Sequence, residues 1–218
     1  MKEELDLSTY KKRNQYYHFS KFPDPSFGLD VDIDVTNLIN IKEATHVGFF
    51  PMFLYCLTKA INSVYELHLR EEKGHIYYYD VIHPTWTVLT KEDVYMNVGT
   101  TFEEDFSIFN KKVTELNSKT KQLDPSSDLD ISSLCNEPNV FYASCLPILD
   151  VISFRHPTPS GDHDNLSIPR ILWGKFILKE DNRYHLTLNI TTSHCLVDGF
   201  PLAKVFINLR EIISSFRI

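Results

Sequence analysis

Glycine is scarce in this chain, and its spacing limits both the folds and the chemistry that the sequence can support. The 218 residues include seven glycines, and no two of them lie closer than thirteen positions apart. The dinucleotide-binding motif G-x-G-x-x-G and the phosphate-binding motif G-x-x-x-x-G-K-[ST] need glycines much closer together, so neither can occur. The sequence therefore excludes a dinucleotide-binding fingerprint and phosphoryl transfer by a P-loop.

The composition is that of a globular protein that buries a full hydrophobic core. Hydrophobic residues make up 43% of the chain and charged residues 23%, the balance of an ordinary folded domain. The 22 basic and 29 acidic residues give a net charge of −7, which argues against nucleic acid or an anionic membrane as a partner. At this length we predict one domain over residues 1–218, with two small domains as the alternative.

The cysteines and the N-terminal segment predict a cytoplasmic protein. The four cysteines contain no C-x-x-C pair and are too sparse for a secreted disulfide framework. The first residues are charged and have no apolar signal core. No stretch approaches the roughly 20 apolar residues that a membrane span requires. We therefore expect a soluble cytoplasmic protein without a membrane segment.

Hydrophobic periodicity predicts strands and helices in mixed order. Strands are predicted at residues 29–35, 76–79, 85–89, 94–98, 140–145, 149–154, 170–178 and 185–192. Helices are predicted at residues 8–18, 51–69, 103–121 and 201–216, and a loop at residues 155–167. Because the two kinds of element do not alternate strictly, the expected fold is α+β, a two-layer sandwich in which helices cover a mixed β-sheet.

Residues 191–201 carry the strongest local signal for chemistry. A β-patterned run ends at His194, and Asp198-Gly199 then precedes a helix. A histidine at a strand end is held by rigid backbone, and imidazole is well matched to general-base work near pH 7. Asp198 is placed to cap the helix or to anchor the loop through a cation, and Gly199 to allow a tight turn. A polar turn without a catalytic role is the alternative.

Other chemistries have weaker support in the sequence. His156 and His163 lie seven positions apart without an H-E-x-x-H motif or a Cys/His cluster, so no metal site is predicted. No serine lies in G-x-S-x-G, which argues against an α/β-hydrolase. Cys195 is predicted to be a core cysteine rather than a nucleophile, because it and His194 point to opposite faces of a strand.

Four stretches resemble the trimeric chloramphenicol acetyltransferases, in the same order along nearly the whole chain. Residues 193–199 resemble the family signature His-His-x-x-x-Asp-Gly, in which the second histidine is catalytic and aligns with His194. Residues 5–13 resemble the family's N-terminal Phe-Asp-x-x-x-Trp-x-Arg-Arg. Residues 50–55 resemble Tyr-Pro-x-x-x-Tyr, and Glu66-Leu67 resembles the Glu-Leu/Phe that follows it. Residues 144–154 resemble the segment that carries the family's catalytic serine.

The resemblance implies a CoA-dependent acyltransferase fold and an acetyl-CoA-dependent O-acetyltransferase of the kind that confers resistance to chloramphenicol. His194 would be the general base, and Ser144 would donate a hydrogen bond to the oxyanion. Asp198 would be structural, paired with Lys12 or Arg13. Acetyl-CoA would be a co-substrate, with no permanently bound cofactor and no metal. Acetyl-CoA and the acceptor would enter a tunnel from opposite sides, at a subunit interface of a homotrimer.

The acceptor pocket is where the sequence departs from the family. Aromatic pocket positions align with Phe19 and Phe27, whereas an apolar position falls at His156. A family threonine that holds a water molecule aligns with Leu172, which has no hydroxyl group for that contact. Two other interpretations therefore stand beside acetylation of chloramphenicol or a related small acceptor. They are an acyltransferase of the same fold for another hydroxyl or amine compound, and a catalytically silent trimeric binding protein.

Overall fold

Strands and helices follow one another without a regular repeat in the computed structural model, which describes residues 1–124 and 129–218. The strands are β1 (Lys2–Glu4), β2 (Ser26–Asp34), β3 (Leu69–Glu72), β4 (His75–Tyr79), β5 (His83–Leu89), β6 (Tyr95–Gly99), β7 (Val140–Leu146), β8 (Arg170–Gly174), β9 (Ile177–Leu178) and β10 (Tyr184–Ser193). The α-helices are α1 (Arg13–Phe19), α2 (Thr36–Thr45), α3 (Phe49–Asn62), α4 (Phe106–Lys121), α5 (His163–Leu166) and α6 (Gly199–Ser215). Short 3₁₀ helices lie at Tyr65–His68 and Ser133–Asn136.

A mixed sheet of seven strands forms the centre of the fold. Its order is β2-β10-β8-β7-β5-β6, and β9 adds to β10. Strands β5, β7 and β8 run parallel to one another, and the other neighbours pair antiparallel. A second sheet, of order β1-β4-β3, is antiparallel. A mixed sheet packed against helices confirms the predicted α+β fold.

The two faces of the large sheet carry different side chains, because successive residues of a strand point to opposite faces. Ile171, Leu188 and Ile190 belong to the hydrophobic core, to which α2, α3, α4 and α6 also contribute. The residues between them point to the opposite face, which we call the polar face. One row across the polar face reads Ser144, Leu172, Asn189 and Asp30, on β7, β8, β10 and β2.

Helix α3 is almost completely buried, as its apolar sequence predicts. Its buried residues include every position from 51 to 58, and Pro51 lies in the first turn, where a missing N–H breaks no intrahelical bond. The helix ends at Asn62 rather than continuing to residue 69. The Asn62 side chain donates to the carbonyl of Ile82 and accepts from its N–H, so it ties the helix end to the strand region instead.

The strand predicted at residues 149–154 is wrong, because this segment is irregular. Its backbone makes separate contacts rather than a ladder: Lys175 N–H donates to the carbonyl of Leu149 at 2.7 Å, and Phe154 N–H donates to Asp30 Oδ1 at 3.1 Å. Its apolar residues do not form one buried face, since Leu149 and Ile152 are exposed, to 54% and 89%, whereas Phe154 is buried. Helix α1 begins later than predicted, and α2 and the single turn of α5 were not predicted.

In the part of the chain that the structure describes, no helix is both long enough and apolar enough to span a membrane.

Candidate active site

His194 directly follows β10, beside the edge strand β2. Its N–H donates to the carbonyl of Pro25 at 2.8 Å, and its carbonyl accepts from Gln15 Nε2 at 3.2 Å. The imidazole stacks on Phe19, with ring centroids 4.0 Å apart, and contacts Phe27 at 4.9 Å. Its Nδ1 is buried and has no hydrogen-bond partner within residues 1–124 and 129–218. Aromatic packing therefore orients the ring, and two hydrogen bonds hold its backbone.

Lys12 lies between two carboxylates and anchors the loop that follows His194. Its Nζ is 3.0 Å from Asp198 Oδ2 and 2.6 Å from Glu66 Oε1. Arg13, the other candidate partner of Asp198, is exposed and forms no ion pair with it among the described residues. Burial alone would raise the pKa of Asp198. Hydrogen bonds from Lys12 and from the backbone of Phe200 outweigh burial and hold that pKa below its ordinary value.

Asp198 also caps helix α6. Its Oδ1 accepts from the backbone N–H of Phe200 at 3.0 Å, which satisfies one of the free donors of the first turn. The same carboxylate thus fulfils both roles that the sequence left open. Gly199 does not have a positive φ, and a Cβ there would meet open space. The expectation that a tight turn requires glycine at this position is therefore wrong.

Ser144 lies on β7 and lines a cavity of about 1080 Å³. The pairing of β5 with β7 extends to Trp86 and Ala143, and all four residues from 143 to 146 line the cavity. Residues of both faces line it, among them Trp173 from the core face and Leu172 from the polar face. The cavity therefore reaches Ser144 from both sides of the sheet.

Thr87 contacts Ser144 from the neighbouring strand β5. Its Oγ1 is 3.1 Å from Ser144 Oγ, so two hydroxyl groups lie side by side in the cavity. On the opposite side of Ser144 its direct partner on β8 is Leu172, which is apolar. Thr87 thus supplies, on one side of Ser144, a hydroxyl group that Leu172 cannot supply on the other. Sequence reasoning missed Thr87, because its place beside Ser144 depends on the strand pairing.

His156 lines the same cavity, although it lies in an irregular segment. Its Nε2 is buried and has no hydrogen-bond partner in the described part of the chain. Burial lowers the pKa of this imidazole, so the ring is neutral at pH 7. A neutral imidazole with a free ring nitrogen is a hydrogen-bonding group available to a bound molecule.

The predicted site residues, together with Thr87, fall into two groups within one chain. The histidine half-site comprises His194, Phe19, Phe27, Lys12 and Asp198, and the serine half-site comprises Ser144, Thr87, His156 and Leu172. Asn189, the β10 partner of Leu172, lies five residues before His194. Strand geometry thus places His194 about 16 Å along the sheet and about 10 Å across it from Ser144. Two side chains that far apart cannot both contact one carbonyl group.

The end of β7 and the segment after it expose several large apolar side chains beside the serine half-site. We call it the exposed apolar loop, and it comprises Leu146 (39% exposed), Ile148 (81%), Leu149 (54%) and Ile152 (89%). Leu146 and Ile148 also line the cavity that contains Ser144. A cluster of this kind is typical of a protein–protein contact surface.

The described residues contain neither a group of side chains that could hold a metal ion nor a disulfide bond. Among residues 1–124 and 129–218, no three or more His, Cys, Asp or Glu side chains are grouped so that they could hold a metal ion. All four cysteines are free, and Cys195 is fully buried. Burial raises the pKa of the Cys195 thiol to about 11, so it is a thiol rather than a nucleophilic thiolate at pH 7.

Comparison with known proteins identifies the family. The sequence profile described as "Chloramphenicol acetyltransferase" matches residues 2–210. A chloramphenicol acetyltransferase of Bacillus pumilus is 26% identical over 209 residues, covering 94% of this chain and 90% of the relative. One of Staphylococcus aureus is 26% identical over 218 residues, covering 97% and 94%.

Solved structures share the fold. A chloramphenicol acetyltransferase superposes with a TM-score of 0.87 at 18% identity, covering 98% of this chain and all of the other. The dihydrolipoamide acetyltransferase of Azotobacter vinelandii gives a TM-score of 0.68 at 14% identity, covering 93% and 86%. The fold is thus that of acetyltransferases, and the profile match extends over nearly the whole chain. The chain belongs to the chloramphenicol acetyltransferase family.

Proposed function

We propose that the protein transfers the acetyl group of acetyl-CoA to a hydroxyl group of chloramphenicol or a related small acceptor. The observation that carries this proposal is the arrangement around His194. The imidazole is oriented by Phe19 and Phe27, and the loop behind it is anchored by the Lys12–Asp198 ion pair. Family membership and the names of the curated relatives support the same activity.

His194 is the general base of the proposed reaction. It accepts the proton of the acceptor hydroxyl group while the oxygen attacks the thioester carbon. The carbon–sulfur bond of the resulting tetrahedral intermediate then breaks, and the imidazolium returns its proton to the leaving thiolate. The products are the acetyl ester and free CoA thiol, and the histidine is regenerated. General-base assistance of this kind contributes typically about 10²–10⁴-fold to the rate.

Ser144 stabilises the negative charge that develops on the thioester oxygen. Its hydroxyl hydrogen is donated to the oxyanion, a hydrogen bond that is strongest in the transition state. The Ser144 oxygen is then free to accept a hydrogen bond from Thr87, whose Oγ1 lies 3.1 Å away. Thr87 thereby keeps the serine hydroxyl directed at the reacting carbonyl group. The cavity reaches Ser144 from both sides of the sheet, which suits entry of acetyl-CoA from one side and the acceptor from the other.

The complete site is proposed to form between two copies of the chain in a homotrimer. The histidine half-site of one copy meets the serine half-site of its neighbour, since the two are too far apart within one chain. The exposed apolar loop borders the serine half-site and supplies apolar surface for this contact. Use of acetyl-CoA and four free cysteines favour the cytoplasm as the location.

A different acceptor is the second candidate, and His156 is the observation that favours it. An apolar group bound in this pocket would leave the buried Nε2 of His156 without a hydrogen-bond partner. A hydroxyl or amine compound that hydrogen-bonds to this nitrogen would satisfy it. The chemistry at His194 and Ser144 is the same for both candidates.

Release of free CoA thiol tests the proposal. Purified protein is mixed with acetyl-CoA, and thiol release is followed with and without chloramphenicol. We expect drug-dependent release that His194→Ala abolishes and that His75→Ala, a change at an exposed histidine of β4, leaves unchanged. Release with another alcohol or amine but not with chloramphenicol would support the second candidate. No turnover across a broad acceptor panel would overturn both and support the catalytically silent binding protein.

A further inference from the structure

One face of helix α1 is directed at the histidine half-site. Lys12, Gln15 and Phe19 follow one another at intervals of three and four residues, which places them on the same side of the helix and its preceding residue. Lys12 contacts Asp198, Gln15 contacts the backbone of His194, and Phe19 stacks on its ring. The role of Lys12 and Phe19 follows from the family pattern, whereas nothing in that pattern assigns Gln15.

The Gln15 side chain contacts the backbone of His194. Its Nε2 donates to the carbonyl of His194 at 3.2 Å. After burial, which raises it, and the larger effects of Lys12 and Phe200, which lower it, Gln15 also helps to hold the pKa of Asp198 below its ordinary value. Gln15 is half-buried, so this contact is partly protected from water.

The position of the His194 imidazole depends on how its backbone is held. Its Nδ1 has no hydrogen-bond partner among the described residues, so no polar contact to that nitrogen fixes the ring. Stacking on Phe19 and the tilted contact with Phe27 restrict the plane of the ring but provide no directional hydrogen bond within that plane. The two hydrogen bonds to the backbone of His194, from Gln15 and to Pro25, are what limit movement within that plane.

We infer that Gln15 is a positioning residue for the general base, because its side chain ties the carbonyl of His194 to helix α1. This inference rests on the proposed function of His194. Small displacements of a catalytic group reduce turnover strongly, by as much as about 10²-fold for 1 Å. Loss of the Gln15 hydrogen bond should therefore lower kcat while leaving KM for acetyl-CoA unchanged, because α1 does not line the cavity that contains Ser144.

Two substitutions of nearly equal size separate positioning from simple packing. Gln15→Met keeps the volume and removes the donor, and we expect kcat to fall about 10-fold. Gln15→Glu replaces the donor with a carboxylate facing a carbonyl oxygen and Asp198, and we expect a loss of about 100-fold. Asn14→Met and Asn14→Glu, at the adjacent exposed position, are the matched controls and should leave kcat unchanged. Thermal unfolding of each variant establishes that it folds.

The outcomes are distinct. Unchanged kcat in Gln15→Met, or equal losses in both Gln15 variants, would overturn the inference. If the wild-type protein acetylates no acceptor, the proposed function fails, and the rate of carbethoxylation of His194 by diethyl pyrocarbonate then decides about Gln15. A ring held less firmly is more accessible to the reagent, so we expect a several-fold faster reaction in Gln15→Glu than in wild type. Equal rates would overturn the inference independently of turnover.

Discussion

Lys12 Nζ and Asp198 Oδ2 lie 3.0 Å apart, and this ion pair joins the residue before α1 to the cap of α6. The same ammonium group contacts Glu66 at 2.6 Å, so one cation balances two carboxylates. Both partners are largely shielded from solvent, with Lys12 19% and Asp198 25% exposed. Removing one partner of an ion pair in this setting costs more than on an open surface, because the remaining charge is shielded from water and unpaired.

Removal of the Lys12 ammonium group should destabilise the fold. We expect Lys12→Ala to lower the free energy of unfolding by about 1–3 kcal/mol, because Asp198 and Glu66 lose a shared charged donor and face each other. Lys12→Arg keeps the charge and should cost less. Urea denaturation measures both effects, and Arg13→Ala, at an exposed neighbour, is the control. Equal losses for the alanine variants at 12 and 13 would show that the Lys12 contact is unimportant.

The stabilisation by Lys12 should disappear in acid. The pKa of Asp198 is lowered in the folded protein from its ordinary value of 3.8, so ionised Asp198 stabilises the folded state. That contribution is complete above the unfolded-state pKa and is lost as the pH falls through the lower, folded-state pKa. The difference in unfolding free energy between wild type and Lys12→Ala should therefore be constant from pH 7 to about 5 and shrink below pH 4. Urea titrations at each pH measure it, and a difference that persists to pH 2 would contradict the assignment.

Ser144 and Thr87 should behave as one unit in catalysis. We expect Ser144→Ala to lower kcat about 10²–10³-fold, since it removes a hydrogen bond to the oxyanion. Thr87→Val should cost less, and Thr87→Ser should restore most of the loss because it restores the hydroxyl group. The double variant should be no slower than Ser144→Ala alone, because Thr87 acts through Ser144. Steady-state kinetics measure all four, and multiplicative losses would show that Thr87 acts independently.

Two inactive variants should complement each other if the site is shared between copies. Co-expressed His194→Ala and Ser144→Ala chains form sites in which the first supplies the serine and the second the histidine. In randomly mixed trimers about a quarter of the sites are then intact, and turnover should recover to about a quarter of wild type. Separately purified variants, mixed without subunit exchange, are the control. No recovery in the co-expressed oligomer would place both residues in one chain's site.

Charge in the exposed apolar loop should separate the copies. We expect Ile152→Asp to reduce the oligomer to monomers and to abolish turnover at the same time, because the loop borders the serine half-site. Ile207→Asp introduces the same charge at a position of α6 that is 51% exposed, on the helical side of the sheet, and should change neither property. Light scattering gives the mass and thiol release gives the turnover. An active Ile152→Asp monomer would refute a site between copies.

Residue patterns predict much of the fold but little of the cavity. The alternation in β2 and the helical spacing in α6 are local signals, and both elements occur where they are expected. Residues 149–154 show the limit of such signals. Their apolar residues resemble those of a strand, and the sequence alone does not tell which of these side chains are exposed. The motif around His194 and Asp198 is also local, so the sequence alone could place both residues at one loop.

Contacts that depend on the meeting of distant elements were not predictable. The sequence left both Lys12 and Arg13 open as the partner of Asp198, because the choice between them depends on the direction of each side chain at the start of α1. The contact of Thr87 with Ser144 follows from the pairing of β5 with β7. The contact of Gln15 with His194 follows from the position of α1 beside the end of β10. The separation of His194 from Ser144 required the strand order, which no motif contains.

The contacts that hold His194 join segments that are far apart in sequence, and this separation affects when the site forms during folding. Gln15 and His194 are 179 positions apart in sequence, and β2 pairs with β10 over nine residues. Contacts between such distant positions require most of the loop-closure entropy to be lost first. The general base therefore reaches its place only when β10 docks against β2. Partly folded chains should be catalytically inert, and in denaturant, activity should be lost together with the global structure.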